Sequence, residues 1–201
     1  MINVYYSPNK ISSLLDYNTV HVKNNHKGAG LPHINFEYSK IEKGFEIVSV
    51  EIIAGQTVRC IQEPDLENRW VLIYFWLEGL AITENTVVSD SKIHKNDGIY
   101  MSSSIYPVCF ENISSKTVKG FVIALQRSWI HKRVPEKEVA NFCMKEKRKI
   151  KELSMDYDAW KYIRNLTDNM MDFPTDWYLG SVGWSLVGLF FSQLKNKGLQ
   201  A

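Results

Sequence analysis

Cysteine is scarce in this chain: Cys60, Cys109 and Cys143 are the three among 201 residues. They are odd in number, far apart and without a CxxC pair. That excludes a disulfide framework and a thiolate zinc site, and it fits a reducing cytoplasm. An excess of either charge is also missing, with 24 basic side chains against 22 acidic ones and a formal net charge of +2. So even a balance gives no electrostatic footprint for nucleic acid or an anionic membrane. The first residues, MINVYYSPNK, lack the basic-then-apolar pattern of a secretion signal.

Catalytic signatures are absent as well. No GxSxG elbow, no GxGxxG turn and no Walker-type phosphate loop occurs, and no cysteine has a histidine near it in sequence. A metal held inside a β-barrel needs imidazoles and a carboxylate converging from several strands. The five histidines, His21, His26, His33, His94 and His131, form no HxH pair, and the last two sit beside lysines. We therefore expect no catalytic residue, no metal and no cofactor.

Long hydrophobic runs are nearly absent too. Residues 177–194 (WYLGSVGWSLVGLFFSQL) carry no formal charge, which reaches the lower limit for a membrane span. Serines and glycines crowd the first half of that run and Gln193 lies near its end, so a buried or partner-facing helix is expected.

What the chain does have is β texture up to about residue 126 and helical texture after it. The run 69–78 (RWVLIYFWLE), with 98–103 and 119–126, is dense in Val, Ile, Phe, Tyr and Trp, residues suited to a pleated, half-buried surface. Further strands are expected at 3–6, 18–23, 34–38, 45–53, 57–62 and 108–112, with a pair within 81–88 about Glu84-Asn85. Turns fall at Lys43-Gly44, Ala54-Gly55, Asn96-Asp97-Gly98 and Tyr106-Pro107. Short strands with turns every 8–12 residues indicate a sandwich or jelly-roll barrel rather than βαβ units. The expected division is a barrel over 1–126 and a helical segment over 127–201, with helices at 136–151, 156–171 and 175–197.

Alternation gives the longest run two faces. Val71, Ile73, Phe75 and Leu77 make one of hydrocarbon and phenyl groups. Trp70, Leu72, Tyr74 and Trp76 make another that keeps hydrogen-bond donors beside aromatic surface. We take Trp70, Tyr74 and Trp76, with Phe36, Tyr38, Arg59 and Tyr100 from other strands, as candidate ligand-binding residues lining the barrel. An aromatic core without a ligand explains the same residues. The basic run 145–151 (KEKRKIK) reads as a solvated helix face.

The last helix carries three stripes. Ser181, Ser185, Gly188 and Ser192 are small; Trp177, Trp184, Val187, Phe191 and Leu194 are bulky; Leu179, Val182, Leu186 and Phe190 form the third. A helix apolar on most sides must be covered on most sides. We expect one face on the barrel and homodimerisation through Ser181, Trp184, Ser185, Gly188, Phe191 and Ser192.

In this order the elements resemble the N-terminal domain of the AraC family of bacterial transcription regulators. Leu77-Glu78-Gly79 matches the turn that follows a barrel strand, and Lys95-Asn96-Asp97-Gly98-Ile99-Tyr100 matches loosely a later turn and strand, without the usual proline. Residues 121–125 followed by Ser128-Trp129-Ile130 match the closing strand and the helix after it, and 156–171 and 175–197 sit where the family places dimerising helices. The resemblance implies a cupin-like jelly-roll β-barrel with a helical dimerisation segment, a small-molecule effector in the barrel and a cytoplasmic location. It implies DNA contact only through helix-turn-helix units that would lie beyond Ala201. A stand-alone cupin enzyme, isomerase or dioxygenase, is the alternative, and an interaction module with a filled barrel is a third.

Overall fold

The computed structural model describes residues 2–12, 14, 34–52, 58–67, 69–76, 80–83, 93–94, 98–112, 117–145, 151–153, 156–168 and 175–196. The expected strand 18–23, the turns at Ala54-Gly55, Leu77-Glu78-Gly79 and Glu84-Asn85, and most of the basic run 145–151 lie outside the described residues. In chain order the strands are β1 (Ile2–Tyr6), β2 (Ile34–Glu42), β3 (Phe45–Ile52), β4 (Val58–Gln62), β5 (Trp70–Trp76), β6 (Leu80–Thr83), β7 (Ile93–His94), β8 (Gly98–Ser103), β9 (Cys109–Asn112) and β10 (Val118–Gln126). Helices α1 (Arg127–Arg133) and α2 (Lys137–Lys145), strand β11 (Lys151–Leu153), and helices α3 (Tyr157–Asp168) and α4 (Thr175–Asn196) follow.

These strands make two sheets. The smaller runs β1-β4-β9-β6-β7 and the larger β11-β8-β5-β10-β3-β2. Their pairing is antiparallel except for β1 on β4. The result is a cupin-like double sheet with helices after it. The β2–β3 hairpin turns at Gly44, whose φ of 88° lies in the left-handed region. A Cβ there would also come within 2.9 Å of Gln126 Oε1.

The larger sheet is the middle layer of three. Its even-numbered residues on β5 (Trp70, Leu72, Tyr74, Trp76), with Val48, Val50, Val122 and Tyr100, pack against Val4, Tyr6, Cys60 and Phe110 of the smaller sheet. Its odd-numbered residues (Val71, Ile73, Phe75), with Phe45, Phe121 and Ile123, pack against Trp129 and Ile130 of α1 and Leu179, Val182, Leu186 and Phe190 of α4. The third stripe of the last helix is thus the one that docks on the sheet. Gly183 marks the close approach, since a Cβ there would sit 3.2 Å from the Phe45 ring.

Two expectations need correction. The helix expected over 136–151 is described over Lys137–Lys145, and Lys151–Leu153 instead adds a strand to the edge of the larger sheet, pairing with Met101–Ile99. Burial of Leu153 in the helix-side core and the ladder to β8 outweigh a helical pattern there. The strand pair placed within 81–88 is drawn differently too: Leu80–Thr83 pairs with Ile93–His94 and also with β9. The segment after residue 126 therefore supplies a strand to the sheet and shares its core, so it is not packed as a separate unit. Asp156 fixes the start of α3 by accepting from the Ala159 amide at 2.8 Å, and its second oxygen accepts from Gln193 of α4.

The helix–sheet core carries an expected mutational contrast. Leu186→Ala, a fully buried change, should lower unfolding stability by about 3 kcal/mol. Trp177→Ala, at a residue 87% exposed, should change it by about 0.5 kcal/mol or less. Urea denaturation followed by circular dichroism measures both.

Candidate functional site

Strand register sets the lumen in rows. Phe36, Val50, Gly120, Trp76 and Gly98 lie side by side across the larger sheet, and Tyr38, Val48, Val122, Tyr74 and Tyr100 form the adjacent row. Five of the seven candidate ligand residues, Phe36, Tyr38, Tyr74, Trp76 and Tyr100, thus share two neighbouring rows. Trp70 faces the same interior from the opposite end of β5 and donates its indole N–H to Asn9 Oδ1 at 2.7 Å. Arg59 does not join them. Alternation along β4 turns Cys60 and Gln62 inward and Arg59 outward, where its guanidinium pairs with Glu111 at 2.9 Å.

Trp76 owes its place to what its neighbours lack. The residues directly opposite it on both flanking strands are glycines, Gly98 on β8 and Gly120 on β10. A Cβ on Gly120 would fall 2.1 Å from Cε3 and 2.4 Å from Cζ3 of the indole. The ring therefore lies over backbone that no other residue would leave bare. It stacks on Tyr74 with centroids 6.0 Å apart and meets Phe110 at 4.9 Å.

A buried polar chain crosses the interior one row away. Tyr74 donates to Gln62 Oε1 at 2.6 Å, Gln62 Nε2 donates to the Tyr106 carbonyl at 2.7 Å, and the Tyr6 and Ser102 hydroxyls lie 3.3 and 3.4 Å from the Tyr74 oxygen. Sequence reading missed Tyr6, Gln62, Ser102 and Phe110 as partners in this site. Burial pushes the Tyr74 phenol up to about 12, against smaller opposing effects of its hydrogen bonds to Ser102 and Tyr6. Tyr6 is raised well above the usual phenol range, by burial first and by Tyr74 second. Tyr38, at the sheet edge, is likewise raised to about 12 by burial and then by Glu46.

The helical exit from the barrel is fixed by Arg127. Its buried guanidinium donates to the Cys143 carbonyl of α2 at 2.9 Å and to Ser103 Oγ of β8 at 3.3 Å. Desolvation lowers its pKa from the usual guanidinium value. On α4, Ser181, Trp184, Gly188 and Ser192 lie on the exposed side, while Ser185 and Phe191 are half-buried. Trp184 is 48% exposed and packs edge-on against Phe45. Among the described residues no three His, Cys, Asp or Glu side chains gather as metal ligands, and His21, His26 and His33 lie outside them. Among the described residues no helix is long and apolar enough to cross a membrane.

The raised phenols predict an alkaline limit. An unfolded tyrosine ionises near 10 while Tyr74 holds its proton to about 12, so its contribution is intact below pH 10 and lost as the pH climbs from there. Tyr74 should make unfolding stability fall by about 1.4 kcal/mol per pH unit in that window. Urea titrations from pH 8 to 12 should show the fall, and Tyr74→Phe should make it shallower by about one proton. A slope unchanged in that variant would contradict the assignment.

No family model matches this chain, and no curated protein matches it in sequence. Its neighbours among solved structures are cupin domains and transcriptional regulators. ToxT from Vibrio cholerae O395, solved bound to (E)-4-(8-methylnaphthalen-1-yl)but-3-enoic acid, is 13% identical, with a TM-score of 0.45 over 76% of this chain and 57% of that one. The cupin domain of Schizosaccharomyces pombe Cnp3 is 18% identical, with a TM-score of 0.37 over 53% of this chain and 68% of that one. The cupin domain of an XRE family transcriptional regulator from Enterobacter cloacae is 13% identical, with a TM-score of 0.33 over 49% of this chain and 97% of that one.

Proposed function

We propose that this chain is the sensing and dimerisation domain of an AraC-type transcription regulator. A small molecule binds in the barrel, α4 pairs two copies, and DNA is contacted through helix-turn-helix units outside the 201 residues. The domain itself is non-catalytic and works in the cytoplasm.

One observation carries this reading. The lumen and the helices share a single sheet, in which neighbouring residues of β5 serve opposite sides: Tyr74 and Trp76 face the interior while Ile73 and Phe75 support the helices. A ligand that repositions the lumen aromatics acts on a layer one backbone thick, with Leu186 and Phe190 of α4 on its far side. That is the physical requirement for coupling, since a ligand shifts an equilibrium only through a difference in contact between two states. The sequence resemblance at 121–130 and in the terminal helices supports the family assignment. Reading the gene past Ala201 tests it: two helix-turn-helix units are expected, and a stop codon there overturns it. A transition metal near one equivalent in purified protein would favour the cupin-enzyme alternative instead.

The partner assigned to α4 is a second copy. Its exposed side carries Trp177 and Trp184 beside Gly180 and Gly188, and a Cβ on either glycine would meet nothing within 4 Å. Small residues beside large aromatics let a second helix approach closely and give the indoles something to cover. Sedimentation at high micromolar concentration should show a dimer, and Gly188→Arg should weaken association about tenfold or more while the circular dichroism spectrum stays unchanged. A monomer in the parent protein under those conditions removes the dimer from the proposal.

A further inference from the structure

The donors of the lumen can be counted one at a time. The single hydroxyl proton of Tyr74 goes to Gln62 Oε1 at 2.6 Å, so Tyr6 and Ser102, 3.3 and 3.4 Å away, give theirs to the Tyr74 oxygen. Gln62 donates to the Tyr106 carbonyl and Trp70 to Asn9. One indole differs. Trp76 is 1% exposed, and its Nε1 has no hydrogen-bond partner among the described residues.

Leaving that N–H unpaired costs about 1–3 kcal/mol, and the packing gives it no way to turn aside. The Cε3–Cζ3 edge of the ring rests on Gly120, and Nε1 lies at the opposite edge of the indole. Tyr74 stacks on the ring at 24° and Phe110 is tilted 47° against it. An aromatic face of that kind accepts at best a weak N–H···π contact. Buried donors left over in a folded protein call for a specific occupant, and here the surroundings state its chemistry. Tyr74 and Phe110 meet the ring, Phe36 and Val50 share its row, and the Tyr100 phenol lies over Gly98. Among the described residues the buried cation is Arg127, which is held by the Cys143 carbonyl and Ser103 Oγ at the helical exit, and Arg59 is spent on Glu111 at the outer face. A carboxylate placed beside Trp76 would lose its hydration without gaining a counter-charge.

We infer that the effector is a flat, uncharged, largely apolar molecule that offers one carbonyl or ether oxygen to Trp76 Nε1 at the Gly98–Trp76–Gly120 end of the barrel. This rests on the barrel being the effector site. The acceptor completes the bond that Trp76 leaves open among the described residues, and the aromatic walls take the rest of the molecule. Discrimination against an analogue lacking the oxygen follows from the same unpaired donor, because such a ligand would bury it without satisfying it.

The test uses three probes of one shape on the full chain: 2-acetylnaphthalene, 2-ethylnaphthalene and 2-naphthoate. Proton–nitrogen correlation spectra follow the indole resonances, and that of Trp76 is identified by its loss in Trp76→Phe. The ketone should bind about tenfold more tightly than the hydrocarbon, the naphthoate should bind most weakly, and only the ketone should move the Trp76 N–H signal downfield. In Trp76→Phe the advantage of the ketone over the hydrocarbon should vanish. Should that variant fail to fold, the ketone–hydrocarbon comparison in the parent protein decides alone. Lumen shifts with hydrocarbon and ketone bound equally, or with naphthoate bound best, overturn the acceptor assignment and leave the barrel standing as a binding site. No lumen shift with any of the three overturns both.

Discussion

The structure depends on burying one strand along both of its faces. All seven residues of β5 are buried, so neither side of the larger sheet can be left to solvent. The smaller sheet covers one side and the helices cover the other, and neither layer has enough apolar surface of its own without the strand between them. The two-residue period of the backbone then assigns the roles. Hydrocarbon and phenyl groups go under α1 and α4, where dense packing is all that is needed. Phenol and indole groups go inside, where each polar atom must find a partner.

Within the interior, backbone rather than side chain makes the room. Gly98 and Gly120 flank Trp76 on both neighbouring strands; the indole spreads over Gly120, and the Tyr100 ring lies over Gly98. Glycine in a strand normally weakens it by offering nothing to pack. Here the missing side chains are replaced by two rings, Trp76 over Gly120 and Tyr100 over Gly98, so the row stays filled. The row beside it is held differently, through Tyr6, Gln62, Tyr74 and Ser102. A polar knot thus lies one step from an indole whose polar edge is left over among the described residues.

Much of this was legible in the sequence because it is local. Strands β3, β5, β8 and β10 fall within a residue or two of where aromatic and β-branched runs put them, and the Lys43-Gly44 turn and the long last helix do as well. The split of β5 into two faces followed from alternation alone, and so did the choice of Leu179, Val182, Leu186 and Phe190 as one stripe. What was not legible depends on register between distant segments. Nothing in the chain order says that Gly98 and Gly120 stand opposite Trp76, or that Gln62 meets Tyr74. Arg59 was misplaced because its strand's phase against the lumen could not be known before Cys60 and Gln62 were seen to point inward. The strand at Lys151–Leu153 was hidden for a related reason: three residues beside a basic run carry no β signature, and only the open edge of β8 gives them that shape.

That returning strand has a consequence for how the protein is made. When the ribosome has synthesised the ten strands up to residue 126, the helix-facing side of the larger sheet is complete in sequence but has no cover, and the edge at β8 has no neighbour. The edge waits for Lys151–Leu153 to emerge, and the apolar side waits for α1 and then α4. For that interval the nascent chain presents a broad apolar sheet and an unpaired edge, the features that drive nascent chains into aggregates or into the hands of chaperones. Biogenesis of this protein is therefore a race between translation of residues 127–196 and capture of its unfinished sheet.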